Sequence, residues 1–161
     1  MSIDTSRAEI IDMTTQLDEV DWQLLSELQH DARHGFRELG RRVSLSAPAV
    51  AARIRRLERL GVITGYHAHV DPERAGYAAQ AFIVITTPGR RASVTVAGLA
   101  ADNPRILEDH RITGTDDHLL RVVSPSLSEL EPVIDTLNEH GKPATSVVLS
   151  TPKPWAPLPP P

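Results

Sequence analysis

The sequence predicts an α+β protein with an all-helical N-terminal part and a second part in which strands and helices alternate. Up to about residue 60, apolar residues recur at spacings of three and four, which is the period of a helix. From residue 79 onward, runs rich in β-branched residues alternate with helical segments. The length of 161 residues and the hydrophobic content of 40% suit one ordinary globular domain or two small ones.

Three short helices are predicted in the N-terminal part. Asp18 is placed as the N-cap residue of the first helix and Ser46 as that of the third. Pro48 falls in the first turn of the third helix, where its missing N–H costs little, and Gly61 is expected to end that helix. The apolar stripes consist of Val20, Leu24 and Leu28, of Phe36, Leu39 and Val43, and of Val50, Ile54 and Leu57.

The C-terminal part is predicted to have the element order β-α-β-β-α-β. Its first strand, 79–87, is a nearly continuous apolar run, which favours burial on both faces. Its second helix begins with overlapping Ser-x-x-Glu capping boxes that start at Ser126 and Ser128, and Pro132 favours the later one. The other predicted elements are a strand at 62–70 that precedes this part, a helix at 92–101, strands at 105–113 and 117–124, a C′ glycine at Gly141 and a strand at 144–150.

Positive charge is concentrated in one stretch of an acidic chain. The formal net charge is −4, yet residues 33–59 hold eight arginines and two glutamates, a balance of +6. The rest of the chain has a balance of −10. So uneven a distribution indicates that one part of the surface meets a polyanion.

The third predicted helix has the layout expected of a helix that enters the major groove of DNA. Its outward face is small and apolar over the first two turns and cationic over the second half. Small side chains allow close approach to base edges, and arginines reach phosphates. The preceding helix and the turn 44–46 complete a helix-turn-helix layout, which favours DNA binding over a merely solvated basic helix. The candidate DNA-contacting residues are Arg37, Arg41, Arg42, Ser44, Ser46, Ala47, Pro48, Ala51, Ala52, Arg53, Arg55, Arg56 and Arg59.

A set of short motifs runs through the same part of the chain. The motif residues are Leu17-Asp18, Asp21, Asp31-Ala32-Arg33, Glu38-Leu39, Leu45-Ser46, Val50, Arg53-Ile54, Arg56-Leu57-Glu58, Gly61-Val62-Ile63, Gly65-Tyr66, Asp71-Pro72 and Gly76. This pattern resembles the N-terminal half of the Lrp/AsnC, or leucine-responsive, family of transcriptional regulators, and the resemblance extends to about Leu149. It implies an N-terminal winged helix-turn-helix followed by a ferredoxin-like βαββαβ regulatory domain.

Five segments are expected along the chain. The tail holds six prolines in its last eleven residues, and we expect a disordered end anchored at Trp155 rather than a peptide-docking element. The segments are a flexible N-terminal arm (1–16), a helix-turn-helix DNA-binding domain (17–64), a strand and linker (65–78), a βαββαβ effector-binding and oligomerisation domain (79–151) and a Pro-rich tail (152–161).

A hairpin in the second domain, residues 113–120, is the candidate ligand site. Gly114 allows a sharp turn that exposes N–H groups to a carboxylate, and the adjacent aspartates can accept hydrogen bonds from an ammonium group. The same composition is also that of an ordinary turn. The resemblance implies an amino-acid effector bound between subunits, although Asp116 stands where the family often has an aromatic residue. The candidate effector-binding residues are Gly114, Thr115, Asp116 and Asp117.

Oligomerisation is expected through the sheet of the second domain. Two helices cover only one face of a four-stranded sheet, yet strand 79–87 is apolar on both sides, and an uncovered apolar face is a candidate interface. We therefore expect a homodimer that presents two recognition helices to double-stranded DNA. The family resemblance implies further assembly to tetramers or octamers.

Two alternative functions remain open from the sequence. An architectural DNA-binding protein without an effector keeps every DNA prediction, whereas an enzyme like the tetrapyrrole decarboxylases of this architecture is disfavoured by the arginine-rich stretch. We predict no catalytic residue, no metal site and no cofactor apart from the amino-acid effector, because the sequence has no cysteine and its histidines lack ligand spacing. Without a signal peptide or a long apolar run, a cytoplasmic, nucleoid-associated protein with no membrane contact is expected.

Overall fold

The computed structural model describes residues 17–161, so the predicted arm 1–16 lies outside the described residues. The described chain divides into two compact units. The first consists of residues 17–68 together with Lys153–Pro161, and the second is His69–Pro152. The sequence placed the boundaries at 64/65 and 78/79 and treated the tail as a separate end, whereas the structure groups the tail with the N-terminal unit.

The first unit contains the three predicted helices, α1 (Glu19–His30), α2 (Phe36–Arg42) and α3 (Ala47–Arg59). Asp18 and Asp21 form a reciprocal capping box at the start of α1, in which the Asp21 N–H donates to Asp18 Oδ1 at 2.8 Å. Ser46 Oγ accepts from the Ala49 N–H at 3.4 Å at the start of α3. Both predicted N-caps are therefore confirmed.

The C-terminal end of α3 is closed by a Schellman motif. Gly61 has φ +69°, and its N–H donates to the Glu58 carbonyl at 3.0 Å. The Val62 N–H reaches back to the Leu57 carbonyl at 2.9 Å. A residue in the left-handed region is needed here and glycine adopts it at least cost, so the prediction that Gly61 ends the helix is confirmed.

The turn between α2 and α3 depends on a close approach of the backbone. A Cβ at Gly40 would lie 2.4 Å from the Leu45 carbonyl oxygen, so only glycine fits at this point of α2. Ser44 has φ +56°, which lets the chain reverse within a few residues. The apolar stripes of the three helices meet beneath this turn, and the fully buried members are Leu24, Leu39, Val50 and Leu57.

The predicted strand at 62–70 is absent from the single chain. Residues 64–71 have no regular secondary structure, because a strand forms only when its backbone groups pair with a neighbour, and none of the described strands lies beside it. Ile63 packs against the helical core instead. The Tyr66 hydroxyl donates to Glu58 Oε1 at 2.9 Å, so side chains fix this segment to α3.

The second unit has the predicted β-α-β-β-α-β order. The elements are β1 (Ala79–Thr86), α4 (Arg90–Asp102), β2 (Ile106–Arg111), β3 (His118–Ser124), α5 (Glu131–Asn138) and β4 (Lys142–Val147). All strand pairs are antiparallel, with the spatial order β2-β3-β1-β4, which confirms the α+β fold class.

Burial along β1 alternates, so the expectation that both of its faces are buried is wrong for the single chain. Ala81, Ile83 and Ile85 are buried under α4 and α5, whereas Phe82 on the opposite face is 43% exposed. The strand is apolar on both sides, but two helices cover only one side of the sheet. The other face therefore carries exposed apolar surface.

Helix α5 begins at Glu131, with Leu130 as its N-cap and Pro132 in its first turn, so it starts two residues beyond the later of the two predicted starts, whose N-cap was Ser128. Neither predicted capping box forms at the helix, whose N-cap residue is Leu130 without a side-chain hydrogen bond. Ser126 Oγ accepts from the Glu129 N–H at 3.2 Å in the turn before it. Gly141 follows the helix one position later than predicted, and a Cβ there would lie 2.5 Å from the Thr86 carbonyl oxygen.

Within residues 17–161, no helix is long and apolar enough to span a membrane.

We expect the Gly40→Ala substitution to lower the free energy of unfolding by about 1–3 kcal/mol, because the added methyl group must displace the Leu45 backbone. Urea denaturation followed by circular dichroism measures the change. Gly98→Ala, in the interior of α4, is the control, since a Cβ at Gly98 meets nothing within 4 Å. Equal stability losses for the two variants would contradict this account of the turn.

Candidate nucleic-acid interface and effector site

The arginines of α3 fall into two groups, and the first group faces α1. Arg53 Nη1 lies 2.6 Å from Asp18 Oδ2 and 2.8 Å from Asp21 Oδ1. Arg56 Nη1 lies 2.9 Å from Asp21 Oδ2. Arg53 and Arg56 therefore clamp α3 to α1, although the sequence placed both among the DNA-contacting candidates.

Asp21 is the centre of this clamp. Its side chain is only 1% exposed, and a carboxylate removed from water requires charged partners and hydrogen bonds. The two guanidinium groups and the Asp18 N–H supply them. Hydrogen bonds from the Asp21 N–H and from Arg53 hold the pKa of Asp18 below its ordinary value, so the rim of the clamp is ionised as well.

The second group of arginines lies on the outward face of α3. Within residues 17–161, the guanidinium groups of Arg55 and Arg59 form no ion pair, and Arg59 Nε only donates to the Arg55 carbonyl at 3.3 Å. They follow small residues along the helix, as the sequence predicted. The exposed members of this recognition face are Ser44, Ser46, Pro48, Ala52, Arg55 and Arg59, with Ala47 half-buried at its edge.

Helix α2 adds a second set of arginines. Arg37 is exposed and forms no ion pair with any described residue. Arg41 pairs with Glu38, and Arg42 bridges Glu38 at 2.9 Å and Glu27 at 2.8 Å. Surface pairs of this kind are each worth roughly 0–1 kcal/mol, so a phosphate can compete for these arginines.

One predicted DNA contact is incompatible with the structure. Ala51 is only 7% exposed and faces the helical core between Val50 and Ile54. Because Ala51 precedes the outward-facing Ala52 by one residue, its side chain points about 100° away from that of Ala52 around the helix axis. Ala51 is therefore a packing residue.

Glu58 and Tyr66 belong to this surface, and the sequence analysis assigned no role to either. Glu58 lines a shallow concavity with Ala52, Arg55 and Arg59, which places a negative charge among the outward arginines. The Tyr66 hydroxyl donates to Glu58, and burial together with this carboxylate raises the pKa of Tyr66 to about 12. Glu58 could have been identified from the sequence, because it is the single glutamate within the run of arginines at 53–59.

The candidate effector residues lie together where the β2–β3 hairpin meets the end of β1. Asp117 Oδ2 accepts from both the N–H and the hydroxyl of Thr87 at 2.6 Å, and these bonds lower the pKa of Asp117. Asp116 Oδ1 accepts from the Thr86 hydroxyl at 2.7 Å. Gly114, with φ +130°, makes the turn. The aspartates therefore anchor the hairpin, and Asp117 Oδ1 accepts no hydrogen bond from the described residues.

Three hydrogen-bonded side chains lie nearby, the buried Ser93 and His118 and the half-buried Asp109, although no such set was readable from the sequence. His118 is fully buried, with Nδ1 2.8 Å from Asp109 Oδ1 and Nε2 2.7 Å from Ser93 Oγ. Because Ser93 is only 2% exposed, a substrate has no access to its hydroxyl. These two hydrogen bonds therefore connect α4 with β3 and β2.

The fold and the basic recognition face together define the class of the protein. It is a helix-turn-helix DNA-binding protein whose second domain is of a ligand-binding type. The model of the AsnC-type helix-turn-helix domain matches residues 17–58, and that of the Lrp/AsnC ligand binding domain matches residues 80–158. The chain belongs to the Lrp/AsnC family and is a DNA-binding transcriptional regulator rather than an enzyme.

Individual relatives agree with this assignment. The HTH-type regulator YezC of Bacillus subtilis is 42% identical over 84% of this chain and 95% of its own, and Rv2324 of Mycobacterium tuberculosis is 33% identical over 84% and 93%. Among solved structures, B. subtilis LrpC superposes with a TM-score of 0.81 at 28% identity, covering 88% of this chain and 100% of its own. The regulator NMB0573 of Neisseria meningitidis, complexed with L-Met, has a TM-score of 0.83 at 31% identity, covering 89% and 97%.

We expect Asp21→Asn to lower the free energy of unfolding by about 1–3 kcal/mol, because it removes the charge that holds two guanidinium groups. Asp71→Asn makes the same chemical change in an exposed ion pair with Arg74 and should cost less than about 1 kcal/mol. Urea denaturation of both variants measures the difference. A loss no greater than that of Asp71→Asn would show that the clamp does not stabilise the helical unit.

Proposed function

We propose that this regulator holds double-stranded DNA on the recognition face of α3. The proposal rests on Arg55 and Arg59, whose guanidinium groups form no ion pair with any residue of the described range 17–161. They follow an N-terminal half of α3 whose outward residues are small and exposed. Small residues there allow close approach to base edges in the major groove, and the two arginines reach phosphates. Arg37 supplies a further phosphate contact from α2.

The remaining arginines have other roles in this proposal. Arg53 and Arg56 orient α3 through Asp21 and do not contact DNA. Arg41 and Arg42 exchange part of their pairing with Glu38 for phosphate when DNA binds. Arg33 pairs with Asp31 at 2.9 Å. Three of the eight arginines of the basic stretch are thus left as principal phosphate contacts, namely Arg37, Arg55 and Arg59.

Sequence selectivity should depend strongly on DNA shape. The recognition face offers small residues and two hydroxyl groups but few side chains that form bidentate base contacts. Selectivity then comes largely from the cost of deforming the duplex, and affinity falls steeply with salt. Two recognition helices in a dimer would read a roughly palindromic site on chromosomal DNA, in keeping with a nucleoid-associated location.

We expect Arg55→Ala and Arg59→Ala each to weaken DNA binding about three- to tenfold and to lower the slope of log K against log salt by about 1, because each removes one phosphate contact. Arg74→Ala is the control, because Arg74 is an exposed arginine of the second unit that pairs only with Asp71 among the described residues. Fluorescence anisotropy with a duplex from the protein's own upstream region gives both values. Unchanged salt slopes would exclude this face from the DNA contact.

The open face of the regulatory sheet supports a homodimer. Phe82 is 43% exposed at its centre, with the half-buried Val84 and Leu119 beside it. Arg121 pairs with Glu108 at 2.7 Å next to this apolar patch. An apolar centre with a polar margin is the composition of a protein interface, and a two-fold arrangement would cover the face. Further assembly to a tetramer or octamer is part of the same proposal.

We expect Phe82→Asp to shift the dimer to monomer, with a rise in dissociation constant of at least about 100-fold, because a carboxylate would be buried at the interface. Val94→Asp is the matched control, since Val94 is 60% exposed on α4, which covers the other side of the sheet. Sedimentation velocity over a concentration series measures both. Dissociation by Val94→Asp but not by Phe82→Asp would contradict the assignment of the interface.

We further propose that an amino acid binds at the β2–β3 hairpin and changes the affinity for DNA. The supporting observations are the acidic hairpin, where Asp117 Oδ1 is open to an ammonium group, and the L-methionine complexes formed by similar regulators. A ligand controls DNA binding only if it prefers one arrangement of the regulator over another.

A gel-shift titration with each of the twenty amino acids tests the effector, starting from L-methionine. We expect one or a few of them to change the affinity for DNA at least about fivefold, the lower range of allosteric coupling. Asp117→Asn should abolish that response while DNA binding without ligand persists. Indifference to all twenty would favour an architectural DNA-binding protein without an amino-acid effector.

A further inference from the structure

The proline-rich tail makes a specific contact with α1. The Leu158 N–H donates to Gln29 Oε1 at 2.7 Å, and Gln29 Nε2 donates to the Leu158 carbonyl at 3.3 Å. One side-chain amide therefore pairs with both polar backbone groups of one tail residue. The whole segment Lys153–Pro161 belongs to the same compact unit as the three helices.

The tail sequence makes this contact selective. Residues 157–161 read Pro-Leu-Pro-Pro-Pro, so the Leu158 N–H is the only backbone donor in the last five residues, and Gln29 accepts it. Prolines also restrict the free tail, which reduces the entropy lost when it is ordered. Composition alone predicted a disordered end, whereas these features are those of a peptide built to bind.

We propose that α1 carries a docking site for the chain's own C-terminal tail, with Gln29 as its anchor, and that the docked tail stabilises the helix that holds α3. Both partners of the contact, Gln29 and Leu158, lie in the same compact unit as the three helices.

The helix that receives the tail is also the one that fixes α3. Asp21 of α1 holds Arg53 and Arg56, and Gln29 lies two turns further along the same helix. A tail docked on α1 therefore orders the helix that positions the recognition face. Ordering the unbound helical unit in this way reduces the entropy lost on binding DNA, so the docked tail favours the complex.

Docking is tested by a pair of substitutions at one position in the full chain. Leu158→Pro removes the N–H from a segment that is already proline-rich, whereas Leu158→Ala keeps the N–H and removes the side chain. In a Trp22→Phe background, Trp155 is the only tryptophan, and its quenching by acrylamide reports release of the tail. We expect Leu158→Pro and Gln29→Ala to raise the quenching constant at least about twofold, with no further rise in the double variant.

Leu158→Ala should leave the quenching constant unchanged. Additive effects of Leu158→Pro and Gln29→Ala, or no effect of either, would overturn the docking contact. Quenching that is independent of protein concentration is expected for a tail docked on its own chain, and quenching that falls as concentration rises would overturn this in favour of exchange between copies.

The effect of the docked tail on the recognition face is tested by DNA affinity in the same variants. We expect Leu158→Pro, Gln29→Ala and deletion of 153–161 to weaken DNA binding by a common factor of about three to ten, with Leu158→Ala unchanged. Release of Trp155 without any loss of DNA affinity would overturn this effect and leave only a docked tail. The quenching assay needs no DNA, so its outcome is independent of the proposed DNA contacts.

Discussion

The buried carboxylate of Asp21 is the interaction on which the DNA-binding unit depends. It caps α1, it accepts from the Asp18 N–H, and it holds Arg53 and Arg56 of α3. A charge at 1% exposure is tolerated only with such partners, so the position of α3 relative to α1 is specified by electrostatics as well as by apolar packing. The buried apolar stripe turns Arg55 and Arg59 outward, and the clamp adds a charged contact that ties α3 to α1.

This constraint explains why an acidic protein concentrates arginine in one stretch. Part of that positive charge is neutralised by ion pairs within the protein, because Arg53, Arg56 and Arg42 bind carboxylates of α1 and α2. Arg33 and Arg41 also pair with carboxylates, those of Asp31 and Glu38. The charge proposed to meet a polyanion is therefore that of Arg37, Arg55 and Arg59. Basic residues of one helix thus serve both folding and binding, and Glu58 among the outward arginines moderates the local charge.

Local features of the fold could be read from the sequence, whereas contacts between distant residues could not. Asp18, Ser46 and Gly61 were placed correctly because caps act within a few residues of themselves. The helical wheel put Arg55 and Arg59 outward but could not show that Asp21, more than thirty residues away, takes Arg53 and Arg56. The strand predicted at 62–70 was wrong because a strand requires a partner that its own sequence does not reveal. The contact between the tail and Gln29 joins residues 129 positions apart. Composition alone could not predict it, because its partner likewise lies far away in the sequence.

We propose that the arginines of α3 are divided between a structural and a DNA-binding set. An NMR titration of the arginine side-chain Nε–Hε signals with duplex DNA from the protein's own upstream region tests this division. We expect the signals of Arg55 and Arg59 to shift in proportion to bound DNA, while those of Arg53 and Arg56 keep the positions set by Asp21. Large shifts at Arg53 and Arg56, with Arg55 and Arg59 unmoved, would contradict it.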